Sequence, residues 1–224
     1  CEWVDAGMLQ LLGNETWPYA ELGDSSAIEL GQWCLIMGHP DGYVKNRPPV
    51  PRVGRVLFET PKEFQTDAPI IPGDSGGPVF DLAGKVIGIH SWISNDIDDN
   101  YHTSINAFID NWDFMLTGSV DAPRAPGRNA TDGGDVLLES AAAVRDAVVQ
   151  ILCDGKETVL GVVVDREGLV LTKASELVPS SSISCRVSGG ASKEAIVAEV
   201  ENEPTPAEIS SDPNEVVPVS LENV

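Results

Sequence analysis

The run Gly73-Asp74-Ser75-Gly76-Gly77-Pro78 decides how the chain is read; Thr66-Asp67-Ala68-Pro69-Ile70-Ile71-Pro72 leads into it and an apolar stretch carries on to a turn at Ala83-Gly84. A nucleophilic serine needs an exposed hydroxyl and backbone N–H groups converging where an oxyanion develops. Flanking glycines let the chain turn that tightly. The oxyanion hole then falls on Gly73-Asp74-Ser75, with the N–H groups of Gly73 and Ser75 as its donors. The letters Gly-x-Ser-x-Gly also spell the nucleophile elbow of strand–turn–helix hydrolases, which requires a helix directly after the serine. Here Pro78-Val79-Phe80 and then Lys85 to Ile89 read as strand, so the elbow fails. A glycine-rich turn with a bystander serine is the bland alternative, and the full six-residue run argues against it.

Outward from this motif, short apolar runs separated by turn residues recur: Trp33 to Met37, Arg52 to Glu59, Val79 to Phe80, Lys85 to Ser91, Thr158 to Val164 and Leu169 to Thr172. That spacing predicts an all-β barrel or sandwich. Helical periodicity is confined to about Ile105 to Leu116 and about Leu138 to Ala147, each a short surface helix. Residues 118–135 hold Pro123, Pro126, Gly127, Gly133 and Gly134 with few large apolar residues, which is linker composition. From residue 204 to 224 the chain turns acidic and Pro-rich, and no structure is assigned to it.

The 224 residues are 42% hydrophobic, enough for a globular core, and no apolar run is long enough to span a bilayer as a helix. A formal charge of −21 argues against nucleic acid and anionic membrane surfaces as partners. Cys1, Cys34, Cys153 and Cys185 lack Cys-x-x-Cys spacing; buried free thiols are expected, with a Cys153–Cys185 bridge as the alternative if their strands adjoin. No metal-ligand cluster stands out. The acidic run Asn95-Asp96-Ile97-Asp98-Asp99-Asn100 lacks the glycine and terminal glutamate of a calcium loop and reads as a solvated loop. Asn14-Glu15-Thr16 and Asn129-Ala130-Thr131 fit a glycosylation sequon, a pattern common by chance.

Several motifs now fall in register. Trp17-Pro18-Tyr19-Ala20-Glu21-Leu22-Gly23-Asp24-Ser25, then Leu30 to Pro40, then the serine motif and Val86-Ile87-Gly88-Ile89, resemble the second barrel of trypsin-like serine proteases of the bacterial HtrA/Do type. The resemblance covers residues 1–117. It implies an all-β fold of trypsin-like β-barrels, an incomplete double barrel with short surface helices. It also implies Ser75 as nucleophile and Asp5, opening Asp5-Ala6-Gly7-Met8-Leu9, as the carboxylate that orients a histidine. The chain opens inside what reads as a strand, so residues upstream are expected. In the His, Asp, Ser order of this fold the histidine precedes Asp5, and no histidine stands there. His39, His90 and His102 come later and read as structural. By the same resemblance Pro69, Ile70 and Ile71 line the specificity pocket, and Ser91 and Trp92 pair with substrate backbone. Pro69, not an acid, stands six residues before Ser75, which favours a smallish apolar residue before the cut. Asp74 stands where HtrA proteins usually have asparagine, and the resemblance leaves open activation by a freed N-terminus.

Residues 136–203 resemble the first-barrel portion of a second, degenerate unit, through Val148 to Cys153, Leu160 to Asp165 and Gly168 to Ser175. Active family members end that last segment in Thr-Ala-Ala-His, and Ser175 occupies the degenerate histidine position. No PDZ-like unit is recognisable. The expected function is a serine endopeptidase acting on unfolded or extended polypeptides, with no cofactor, exported to the periplasm or cell exterior, with a homo-oligomer compatible. Without its histidine the chain as given is expected to be nearly inactive. Two alternatives stand beside this: a non-catalytic pseudoprotease that binds peptide strands at a sheet edge, and a self-complemented fold in which residues 136–203 supply a permuted first barrel, placing Ser175 near Asp5 and Ser75.

Overall fold

A computed structural model describes residues 4–93, 100–117, 141, 144–177, 182–187 and 190–201. Twelve strands form two closed antiparallel barrels of six strands each. One barrel takes its strands from the middle of the sequence: β2 (Trp33–Gly38), β3 (Val50–Glu59), β4 (Glu63–Thr66), β5 (Pro78–Phe80), β6 (Val86–Ile93) and β7 (Asn100–Ser104). The other combines β1 (Ala6–Leu11) with β8 (Val148–Cys153), β9 (Lys156–Val163), β10 (Leu169–Thr172), β11 (Ile183–Arg186) and β12 (Ser192–Glu201). β1 lies between β10 and β12, with Met8 opposite Leu171 on one side and Glu199 on the other.

β1, β2, β8 and β10 read as nearly continuous apolar runs because both of their faces are buried. Side chains alternate across a strand, and here one set fills a barrel while the other fills the seam between barrels. On β1, Leu9 and Leu11 point into their barrel with Val149, Ile151, Val163 and Val170, whereas Ala6 and Met8 join the seam. On β2, Cys34 and Ile36 fill the other barrel with Val56, Phe64, Val79 and Ile87, whereas Leu35 and Met37 face the seam. Leu160, Val162 and Leu171 meet them there, so a single apolar layer joins the two bodies. Such a layer is the main driving force for holding them together.

The helix expected from Ile105 to Leu116 is two short ones, α1 (Ile105–Asp110) and α2 (Trp112–Thr117). Asn111 breaks them: its side-chain amide donates to the Ala107 carbonyl at 2.8 Å, competing with the main-chain ladder. The helix expected over Leu138 to Ala147 lies largely outside the described residues, though Val144 and Ala147 are buried in the seam. The linker 118–135, the tail 204–224 and positions 95–99 of the acidic run also lie outside them. No described helix is long and apolar enough to cross a membrane.

Cys34, Cys153 and Cys185 are free and buried. Cys153 sits opposite Ile183 and Cys185 opposite Ile151, so the two are diagonal neighbours, and the alternative bridge is not formed. Burial pushes the Cys185 thiol up to about 12, with Cys153 adding to the effect. Cys34 rises to about 12 for the same first reason.

Candidate active site

Asp5 sits at the start of β1 and Ser175 in a 3₁₀ turn, Ala174–Glu176, that follows β10. Because β1 pairs with β10, the two meet although 170 residues separate them. The Ser175 backbone N–H donates to Asp5 Oδ1 at 2.7 Å and its hydroxyl to Oδ2 at 2.8 Å. Lys173 Nζ stands 4.0 Å from Oδ2.

Ser75 lies on the turn before β5, partly exposed. Its carbonyl accepts the Leu160 N–H of β9 at 2.9 Å. The glycine after it has φ +75°, and a Cβ there would stand 2.2 Å from the Leu160 carbonyl and 2.7 Å from Thr172 Oγ1. Only a glycine lets the serine turn seat so closely on β9 and β10. Gly73 has φ +97° and backs onto the His39 carbonyl and Gly42 amide. Among the described residues, the N–H groups of Gly73 and Ser75 have no hydrogen-bond partner. The neighbouring amides are all used: Asp74 to Ile71, Gly76 to His90 and Gly77 to Asp74. Two unpaired donors, on either side of Asp74 in a turn whose serine is partly exposed, can receive a carbonyl oxygen.

The segment Pro69, Ile70 and Ile71 is fixed by three polar contacts. Arg52 Nη1 donates to the Pro69 carbonyl at 2.7 Å, the Ile70 N–H donates to Asn100 Oδ1 at 2.8 Å, and the Ile71 N–H donates to Asp74 Oδ2 at 3.0 Å. Ser91 occupies a bulge between β6 and β7, and Trp92 lies exposed, stacked on Tyr101 at 3.8 Å between centroids. β5 pairs with β6 only as far as Ile89, so Ser91 to Ile93 extend beyond it. Sequence reading passed over Arg52 and Asn100. Asn100 was hidden at the end of an acidic run, and Arg52 carries no motif.

Among the described residues, the contacts of Asp5 and Ser175 involve no histidine. His90 and His102 are fully buried, their Nδ1 atoms 3.0 Å apart, and Thr66 Oγ1 holds His102 Nε2 at 2.8 Å. Burial lowers His90 well below its ordinary 6.5, with His102 and Arg52 adding to it, and takes His102 down to about 3. His39 packs its ring edge-on against Tyr43 and is lowered by burial first, then by Arg47. Because the unfolded His102 imidazole binds a proton below about 6.5 and the folded one only near 3, the stability linked to it is present above about pH 6.5 and is lost as pH falls from 6.5 toward 3, by up to about 1.4 kcal/mol per unit. Urea midpoints at pH 7.5 and pH 5 should therefore differ in wild type and differ less in His102→Gln; an equal difference in the two proteins would refute the assignment.

Two six-stranded antiparallel barrels joined by a shared apolar layer, with a Gly-Asp-Ser-Gly-Gly turn at their seam, make a double-barrel architecture like that of trypsin-like serine proteases. Residues 2–89 match the family model "Trypsin-like peptidase domain", and this part of the chain is similar to proteins of the DegP-like type. It is 41% identical over 96 residues to a Pseudomonas fluorescens protein named "Probable periplasmic serine endoprotease DegP-like", and 38% identical over 97 residues to a Marinomonas protein of the same name. Each alignment takes in 40% of this chain, but the chain spans only 19% and 20% of those relatives' lengths. Among solved structures, an HtrA-type protease AlgW with a decapeptide aligns over 83% of this chain and 65% of its own, at 21% identity and a TM-score of 0.37.

Proposed function

We propose that the chain is a peptide-binding unit of the HtrA protease type whose site, as folded here, captures extended polypeptide and hydrolyses it only very slowly. The observation that carries this reading is Ser175 hydrogen-bonded to Asp5 through both its amide and its hydroxyl. Residues 33–104 then act as a second-barrel portion, and residues 6–11 together with 148–201 as a first-barrel portion with a serine in the histidine position. An extended peptide adds to β6 along Ser91 to Ile93, beside the Trp92 ring. A small apolar side chain enters against Pro69, Ile70 and Ile71, and the carbonyl that follows it reaches the Gly73 and Ser75 amides.

Attack by Ser75 Oγ on that carbonyl forms a C–O bond, moves the carbonyl electron pair onto the oxygen facing the two amides, and requires the hydroxyl proton to leave. An imidazole accepts that proton at neutral pH; the Ser175 hydroxyl cannot, since its conjugate acid is far too strong. The alkoxide-forming step is the one left without help. A second reading is favoured by the unpaired Gly73 and Ser75 amides: endopeptidase activity appears when an imidazole is brought to Asp5. The mechanism draws on no cofactor in either case. The names of its relatives support a periplasmic location.

Fluorescence anisotropy with a labelled unfolded peptide rich in Ala and Val tests the proposal. Binding should weaken about tenfold in Trp92→Ala, which removes a stacking face and edge cover, while hydrolysis by wild type stays at the level of Ser75→Ala. Equal binding by Trp92→Ala and wild type, or wild-type cleavage far above Ser75→Ala, would overturn it.

A further inference from the structure

We infer that Arg52 is a positioning residue that holds the Gly73 to Ser75 turn in its oxyanion-binding shape, so that this turn is set by a cation already built into the barrel. The inference rests on the reading of those amides as the oxyanion hole. Its starting point is Asp74, which is completely buried between them. A carboxylate placed there needs compensation or it is driven to protonate. Burial does raise Asp74, and the Ile71 amide and Arg52 oppose the rise, with a smaller contribution from Arg47.

The compensation comes from one side chain on β3. Arg52 Nη2 stands 2.7 Å from Asp74 Oδ2, and its Nη1 donates to the Pro69 carbonyl at 2.7 Å. One guanidinium therefore ties the serine turn to the pocket segment, using two nitrogens of its planar fork. Asp74 completes the link by accepting the Ile71 amide while its own N–H donates to the Ile71 carbonyl. The geometry also accounts for Gly38 on β2, where a Cβ would lie 2.0 Å from Asp74 Oδ1 and 3.0 Å from Arg52 Nη2. The pair needs that space.

Asp74 is faced by Arg52 from β3 and Arg47 from the loop after β2, and Arg52 also faces His90 on β6. If Arg52 sets the turn by neutralising Asp74, removing both charges must be milder than removing one. Hydrogen–deuterium exchange of the whole chain at pH 7 reads this directly. In Arg52→Met, amides in 70–77 should exchange at least tenfold faster than in wild type, while β8 to β12 stay unchanged. Arg52→Met/Asp74→Asn should return 70–77 to within threefold of wild type. The excess in Arg52→Met, corrected for intrinsic rates, should shrink as pH is lowered and Asp74 takes up a proton.

An unchanged 70–77 segment in Arg52→Met, or no rescue by Asp74→Asn, would overturn the inference. Should Arg52→Met fail to fold, Asp74→Asn and the double variant decide: similar exchange in both supports it, and a further tenfold rise in the double variant overturns it. The exchange pattern does not depend on catalysis. A chain that shows it yet binds no peptide would refute the proposed function alone.

Discussion

Replacing Ser175 with histidine should raise peptide hydrolysis by this chain by up to about 10⁶-fold, the scale of the kcat loss when a serine-protease triad loses its histidine. The backbone is already arranged for it. The residue 175 amide donates to Asp5 Oδ1, and the Ser175 hydroxyl marks the direction of Oδ2. An imidazole at this position can give its Nδ1–H to Oδ2 in place of the hydroxyl, which fixes the tautomer and leaves Nε2 as the acceptor for the Ser75 proton. Partial exposure of Asp5 leaves room for the larger ring. Initial rates on a short apolar peptide anilide, with Ser175→His/Ser75→Ala as the blank, make the measurement. A Ser175→His chain no faster than that blank would show that Ser75 and position 175 do not share a site.

Gly76→Ala should cost about 3 kcal/mol or more in stability, among the larger effects available to a single methyl group. The new Cβ meets the Leu160 carbonyl at 2.2 Å, Val159 Cγ2 at 2.6 Å and Thr172 Oγ1 at 2.7 Å. Two of these neighbours are on β9 and the third on β10, so relief requires the serine turn to lift from the opposite barrel and lose the Leu160 to Ser75 hydrogen bond. Gly31→Ala is the fitting control: φ is +80°, similarly unfavourable for alanine, but nothing lies within 4 Å. It should cost only about 1 kcal/mol. Urea unfolding of the two variants separates strain in the backbone from collision with the other barrel, and equal losses would contradict the described seating.

The serine turn and most strands were legible from the sequence because each is a local pattern: a glycine-rich turn, or alternating or continuous apolar runs between turn residues. Even the likeness of residues 168–175 to a segment ending in histidine was visible. What sequence could not decide was whether that segment belongs beside Asp5, which the self-complemented alternative required. Register between β1 and β10 is set by which faces bury Met8 and Leu9, and nothing local encodes a partner more than 160 residues away. Arg52 and Asn100 escaped for a related reason: each acts through one contact with a distant backbone group or carboxylate, and no spacing rule announces it. Asp74 did announce itself, as a departure from asparagine, but its partner had to be seen.

The strand β1 also fixes an order of assembly. β2 to β7 come from one continuous stretch and can close a barrel by themselves once Ser104 has been made. β1 is synthesised before all of them, yet both of its neighbours, β10 and β12, are made after residue 168. Throughout the intervening synthesis Leu9 and Leu11, buried at the end, have no barrel to enter. Closing so long a loop costs little more entropy than closing a moderate one, but the wait is long, and an unpaired apolar strand is what other chains and holding factors bind. The carboxylate of Asp5 and the residue opposite it therefore come together last, and the site is completed only after the barrel that carries its serine already stands.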